Sequence, residues 1–101
     1  MRRQIVLSRT AEKKLDKLFN YLETNWSEKV KLSFISKLEQ RLSIVQQKPE
    51  SFPKSEIKND LHKCVITRQT TMYYTFDEKD IFVLTVFDNR QNPEKLEAEV
   101  K

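Results

Sequence analysis

The stretch Ile81-Phe82-Val83-Leu84-Thr85-Val86-Phe87-Asp88-Asn89-Arg90-Gln91-Asn92-Pro93 decides how this chain is read. Its first seven residues favour an extended backbone, and the polar cluster closed by Pro93 stops the strand and leaves a guanidinium at its end. Such an arginine can meet a phosphate or a carboxylate. In its plainest reading, Asp88 and Asn89 form a turn and Arg90 pairs with a nearby acid.

Upstream of this strand the apolar period is two, and Leu61 to Arg68 and Thr71 to Phe76 read as two further strands. The polar loop Asp77-Glu78-Lys79-Asp80 joins the last pair as a turn of type I, since a chain without glycine cannot use the commonest tight hairpin. Before Lys48 the period changes. Ala11, Leu15, Leu18 and Leu22, with Phe19, make one apolar stripe, and Ser8 stands where an N-cap belongs, which predicts a helix over about residues 9–24. Val30, Phe34, Leu38, Leu42 and Val45 mark a second over about 28–46, started by Ser27 and Glu28. Prolines 49 and 53 then end the helical part.

Gln4 to Leu7 is a short β-prone start that must join the sheet beside a C-terminal strand, so the order is β-α-α-β-β-β. An α+β fold follows, with the N-terminal helical hairpin packed on one face of a small, largely antiparallel sheet. The other face is expected to be open. Residues 94–101 are read as a frayed helical turn or a tail.

At 101 residues and 12.1 kDa there is room for one domain, spanning 1–101. Charged residues make up 34%, and the lone Cys64 sits in an apolar run, which suggests a small buried side chain in a reducing compartment. No signal-peptide core or membrane-length apolar stretch occurs, so a cytoplasmic protein without membrane contact is expected. Residues 1–60 carry 13 Lys and Arg against 8 Asp and Glu, whereas residues 61–101 carry 6 against 7. The positive surplus is N-terminal. It fits a polyanion or an acidic protein, and equally an ordinary solubility charge. One histidine, one cysteine and no glycine-rich loop leave no pattern for a metal or a nucleotide, and no cofactor is expected.

Several stretches in this order resemble the RelE/ParE superfamily of toxins from bacterial type II toxin–antitoxin modules. They are Ile5-Val6-Leu7-Ser8 at the start, Trp26-Ser27 between the helices, Phe52-Pro53 in the crossover, Met72-Tyr73-Tyr74, and Val86-Phe87-Asp88-Asn89-Arg90-Gln91-Asn92-Pro93. The resemblance implies a growth-arresting toxin neutralised by a cognate antitoxin protein. It implies one of two targets: DNA gyrase, as for ParE-like toxins, or mRNA on the ribosome, as for RelE-like endonucleases.

RNA cleavage would need cations at the scissile phosphate and groups to move two protons. By resemblance Lys63 matches a strand lysine and Arg90 the strand-end arginine, with Tyr73 as a candidate proton-transfer group. Val65, about Thr70, and Leu96 stand where a second lysine, an arginine and a tyrosine are used. The incomplete set leans toward a protein target such as gyrase, and any enzyme here would be a metal-independent endoribonuclease. Strand alternation puts His62 and Lys63 on opposite faces, and likewise Tyr73 and Tyr74, of which one is expected in the core. Lys54, Lys58 and Arg68 are candidates for contacting nucleic acid or target. Trp26, Lys29, Lys37 and Arg41 are candidates for the antitoxin, whose acidic amphipathic segment is expected to lay a helix on the hairpin or add a strand to a sheet edge. The blander assignments are a gap-filling tryptophan and a solvated lysine face.

Overall fold

The computed structural model describes residues 2–100. Its elements are β1 (Gln4–Leu7), α1 (Arg9–Asn25), α2 (Glu28–Gln47), β2 (His62–Thr67), β3 (Thr70–Phe76), β4 (Asp80–Asp88) and α3 (Pro93–Val100), with a short 3-10 turn at Pro49–Ser51. The strands form one mixed sheet in the order β1-β4-β3-β2. β1 runs parallel to β4, and the other neighbours are antiparallel. The anticipated helical hairpin covers one face, where Ala11, Leu15, Phe34, Leu38 and Val45 meet Cys64, Met72, Tyr74, Ile81, Val83 and Val86.

Both helices begin as their caps dictate. The Ser8 hydroxyl oxygen accepts from the Ala11 N–H at 3.0 Å, and the Ser27 hydroxyl oxygen accepts from Val30 N–H at 3.1 Å. Ser8 does more than cap. Its N–H donates to the Val83 carbonyl at 3.0 Å and its O–H to the Leu84 carbonyl at 2.6 Å. Leu84 is the extra residue of a β-bulge, because Tyr73 pairs with Thr85 while the next residue, Tyr74, pairs with Val83. The bulge reverses the facing of β4, so Val83 and Val86 both enter the hairpin core while Thr85 and Phe87 turn to the other side.

That other side is covered over β3 and β4, where an open face was expected, while Val65 at the β2 edge stays 54% exposed. Asn92 Oδ1 accepts from Glu94 N–H at 3.0 Å, Pro93 opens the helix and Glu94 lies in its first turn, so α3 is a capped helix of eight residues where a frayed helical turn or a tail was expected. Leu96 and Val100 pack it onto Leu61, Tyr73 and Phe87. Glu99 accepts from the buried Thr85 hydroxyl at 2.9 Å and pairs with Lys14 of α1, whose ammonium lies 5.1 Å from the Phe87 ring centroid. The Leu96 side chain, at the place matched to a tyrosine, is thus an anchor of this layer.

The crossover is fastened from below. Tyr74 is fully buried and its O–H donates to the Pro49 carbonyl at 2.7 Å, while His62 donates from Nδ1 to the Phe52 carbonyl at 2.9 Å and stacks on Tyr74. His62 therefore belongs to the hairpin side, opposite Lys63, as alternation required. Cys64 is buried, and desolvation pushes its thiol up to about 11, so the neutral form dominates.

Ser8→Ala removes the cap of α1 and leaves the carbonyl of the bulged residue without its donor. A loss of about 1–3 kcal/mol in unfolding free energy is expected from urea titration. Ser27→Ala, which removes only a cap, should cost less.

Candidate functional site

The bulge and the α1–α2 turn together create a groove of about 760 Å³ where the far end of the hairpin overhangs the β2–β3 turn and the end of β4. Leu18, Tyr21, Leu22 and Trp26 of α1 and the residue after it form one wall, Val30 and Phe34 of α2 form another, and Val86 and Phe87 form the floor. Five cations border it, namely Lys14, Lys17, Lys37, Arg68 and Arg90, against the single acid Asp88. An apolar trough with a cationic rim matches a ligand that is apolar on one side and anionic on the other.

The placement of each side chain follows from its element. Lys14, Lys17 and Tyr21 recur at three and four residues on α1 and so share one face beside the apolar stripe. Trp26 ends α1 by donating its backbone N–H to the Leu22 carbonyl at 3.1 Å, and its indole stands out at 68% exposure instead of filling the gap between the helices. An exposed tryptophan at the edge of an apolar groove is a ready anchor for a partner. Arg68 sits in the turn between β2 and β3, and Lys37 reaches the rim from α2.

Arg90 is held by a fork. Its Nε donates to Asp88 Oδ1 at 3.0 Å and its Nη2 to Oδ2 at 2.7 Å, and its backbone N–H also reaches Oδ1 at 2.9 Å. The Arg90 hydrogen bond holds the Asp88 carboxyl below its ordinary value of 3.8.

The sequence candidates divide among three places. Trp26, Lys37, Arg68 and Arg90 meet in the groove, although they were assigned to three different roles. Lys63 and Tyr73 are cross-strand partners on the face under α3, away from Arg90, so the cations expected to share an open face do not share one. Tyr73 is 8% exposed, and burial raises its phenol above 10, so neither tyrosine of the pair is the freely available one that alternation suggested. Lys54 bridges to His62 at the β2 edge, Lys58 is exposed in the loop before β2, and Lys29 and Arg41 lie on exposed parts of α2 outside the groove. Lys14, Lys17 and Tyr21 were not singled out from sequence. Their common helical face was the available signal.

Comparison with known proteins agrees with this architecture. Residues 5–93 match the family described as the ParE toxin of the type II toxin–antitoxin system, parDE. The chain belongs to that family, within the RelE/ParE superfamily. Among solved structures, the chromosomal ParDE TA system from P. aeruginosa superposes with a TM-score of 0.70 at 15% identity, covering 85% of this chain and 95% of that one. The YoeB dimer from Staphylococcus aureus gives 0.62 at 16% identity, covering 86% and 97%. At such identities the likeness is one of fold. No curated protein matches the sequence significantly. Among the described residues no helix is long and apolar enough to cross a membrane, and no cluster of His, Cys, Asp and Glu is suited to a metal.

Because the folded-state value of Asp88 is depressed, its pairing with Arg90 persists above the ordinary carboxylate range and is lost only as pH falls through the lower folded value. A carbon-detected NMR titration should place the Asp88 midpoint below 3.8 in the wild type. Arg90→Ala should move it upward, toward that value.

Proposed function

We propose that this chain is the toxin of a type II toxin–antitoxin module that acts by binding a protein target such as DNA gyrase, in the ParE-like manner. The observation that carries the reading is the dispersal of the groups an RNA-cleaving site would need. Tyr73 is packed beneath α3, Lys63 lies beside it, and Arg90 stands in a separate groove with its guanidinium already engaged by Asp88. Proton transfer at a scissile phosphate requires such groups within hydrogen-bond reach of one another's substrate. A binding toxin has no such demand.

In the same reading the cationic groove receives the antitoxin. An acidic amphipathic helix would seat its apolar side on Leu18, Leu22, Phe34 and Phe87, and its carboxylates would meet Lys17, Lys37 and Arg68. Trp26 would close over it. Lys54 and Lys58, on the far side of β2, are left for the target.

One observation favours a second reading, a metal-independent endoribonuclease of the RelE type. Exposed Tyr21 and Trp26 beside five cations also resemble a platform on which bases stack while a backbone is neutralised. Two assays separate the readings. Incubation with gyrase and plasmid should accumulate cleaved DNA, and incubation with translating ribosomes should leave mRNA intact; codon-specific mRNA cuts that disappear in Arg90→Ala would overturn the protein-target reading.

The groove is tested separately. Lys37→Glu combined with Arg68→Glu should weaken antitoxin binding at least tenfold by calorimetry with the thermal midpoint unchanged. Unaltered affinity would remove the helix from the groove.

A further inference from the structure

We infer that the groove is a binding site for a free acyl carboxylate, a small amphiphile with one apolar chain and one anionic head. At about 760 Å³ it falls within the range of about 300–1,000 Å³ usual for small-molecule sites, which are mostly apolar and hold a few polar groups that fix orientation. Its deeper part is already dry, since Phe34, Val86 and Phe87 are buried. Its upper walls are wet. Tyr21 is 51% and Val30 39% exposed, beside the outstanding Trp26, and an inserted chain would take that apolar surface out of water.

Charge selects the head. The five bordering cations are not equivalent, because Lys14 pairs with Glu99 and Arg90 with Asp88, which also neutralises the groove's single acid. Among the described residues Lys17, Lys37 and Arg68 form no ion pair. They come from α1, α2 and the β2–β3 turn and border one space, so a compact anionic head at the rim lies in the field of all three.

Other occupants fit less well. A second copy entering by the same face would set these cations against their own kind. A cationic or neutral amphiphile leaves them without a partner. A bilayer offers a flat surface, and its chains do not reach a recess under an overhanging hairpin. The binding is independent of the antitoxin, whereas its consequence, competition for the groove, rests on the docking of the antitoxin helix there. A chain seated on Leu22 and Val30 would then release the toxin.

The reporter is Trp26, the only tryptophan of the chain, at the rim of the groove. Octanoate, decanoate and dodecanoate, titrated as monomers into the full-length protein, should shift its emission to shorter wavelength, with affinity rising roughly tenfold at each step of two methylenes. Decyltrimethylammonium and inorganic phosphate should give no saturable shift. Val30→Glu completes a Ser-x-x-Glu capping box at the start of α2, so the fold is kept, and the carboxylate it brings to the groove wall should weaken decanoate binding at least tenfold. Lys37→Glu combined with Arg68→Glu should do the same with unchanged far-UV circular dichroism. Absence of a shift, affinity independent of chain length, equal response to decanoate and decyltrimethylammonium, indifference to these substitutions, or a response only to phosphatidylglycerol vesicles would each overturn the inference. Dodecanoate added to the toxin–antitoxin complex distinguishes this site from the helix dock. Binding without displacement of the antitoxin upholds the acyl site and removes the helix from the groove, and displacement upholds both. No binding of dodecanoate, with antitoxin affinity still weakened by Lys37→Glu and Arg68→Glu, overturns the acyl site alone.

Discussion

One serine side chain joins the three parts of this molecule. Ser8 ends β1, caps α1 and donates its hydroxyl to the carbonyl of Leu84, the residue that β4 carries in excess of β3. A bulge leaves a backbone group without its ladder partner, and in a buried strand that group must be satisfied or the bulge costs too much to persist. Ser8 satisfies it from the neighbouring strand. The facing of β4 then changes at a defined place, and everything on the two sides of the sheet follows from that change.

With the bulge in place, Val83 and Val86 both serve the helical hairpin, and Thr85 and Phe87 are released to the opposite face. α3 uses them at once. Leu96 and Val100 provide apolar cover, and Glu99 is held between the Thr85 hydroxyl and the Lys14 ammonium. A domain of this size gains from a second apolar layer, because a single face of a four-stranded sheet buries little surface. The same layer withdraws Tyr73 from solvent. What remains accessible is the end of the sheet, where the hairpin overhangs and cations gather around Trp26.

Charge gathers where the hairpin overhangs the sheet. In the groove five cations border an apolar trough, which suits an amphipathic ligand. Lys14, Lys17 and Lys37 come from the N-terminal surplus of positive charge, and the balanced C-terminal part contributes Arg68 and Arg90.

The helical hairpin, the crossover and the four strands were legible in the sequence, because each rests on local periodicity, a cap or a proline, and β1 was expected beside a C-terminal strand because it is too short to stand alone. The burial of Cys64 was legible too, whereas alternation placed only one of Tyr73 and Tyr74 in the core and both are buried. The start of α3 was also written there, in Asn92-Pro93-Glu94, but a proline after a strand reads first as a stop, and the apolar partners Leu96 and Val100 are too few to declare a helix unless their docking surface is known. The bulge at Leu84 had no local signal at all. It is a feature of the pairing between β3 and β4, which is set only when the two strands meet. The sequence by itself determined which residues can be helical, extended or capping, and where the cations lie along the chain. The tertiary structure alone decided which of them face one another, since facing depends on a register that no short stretch contains.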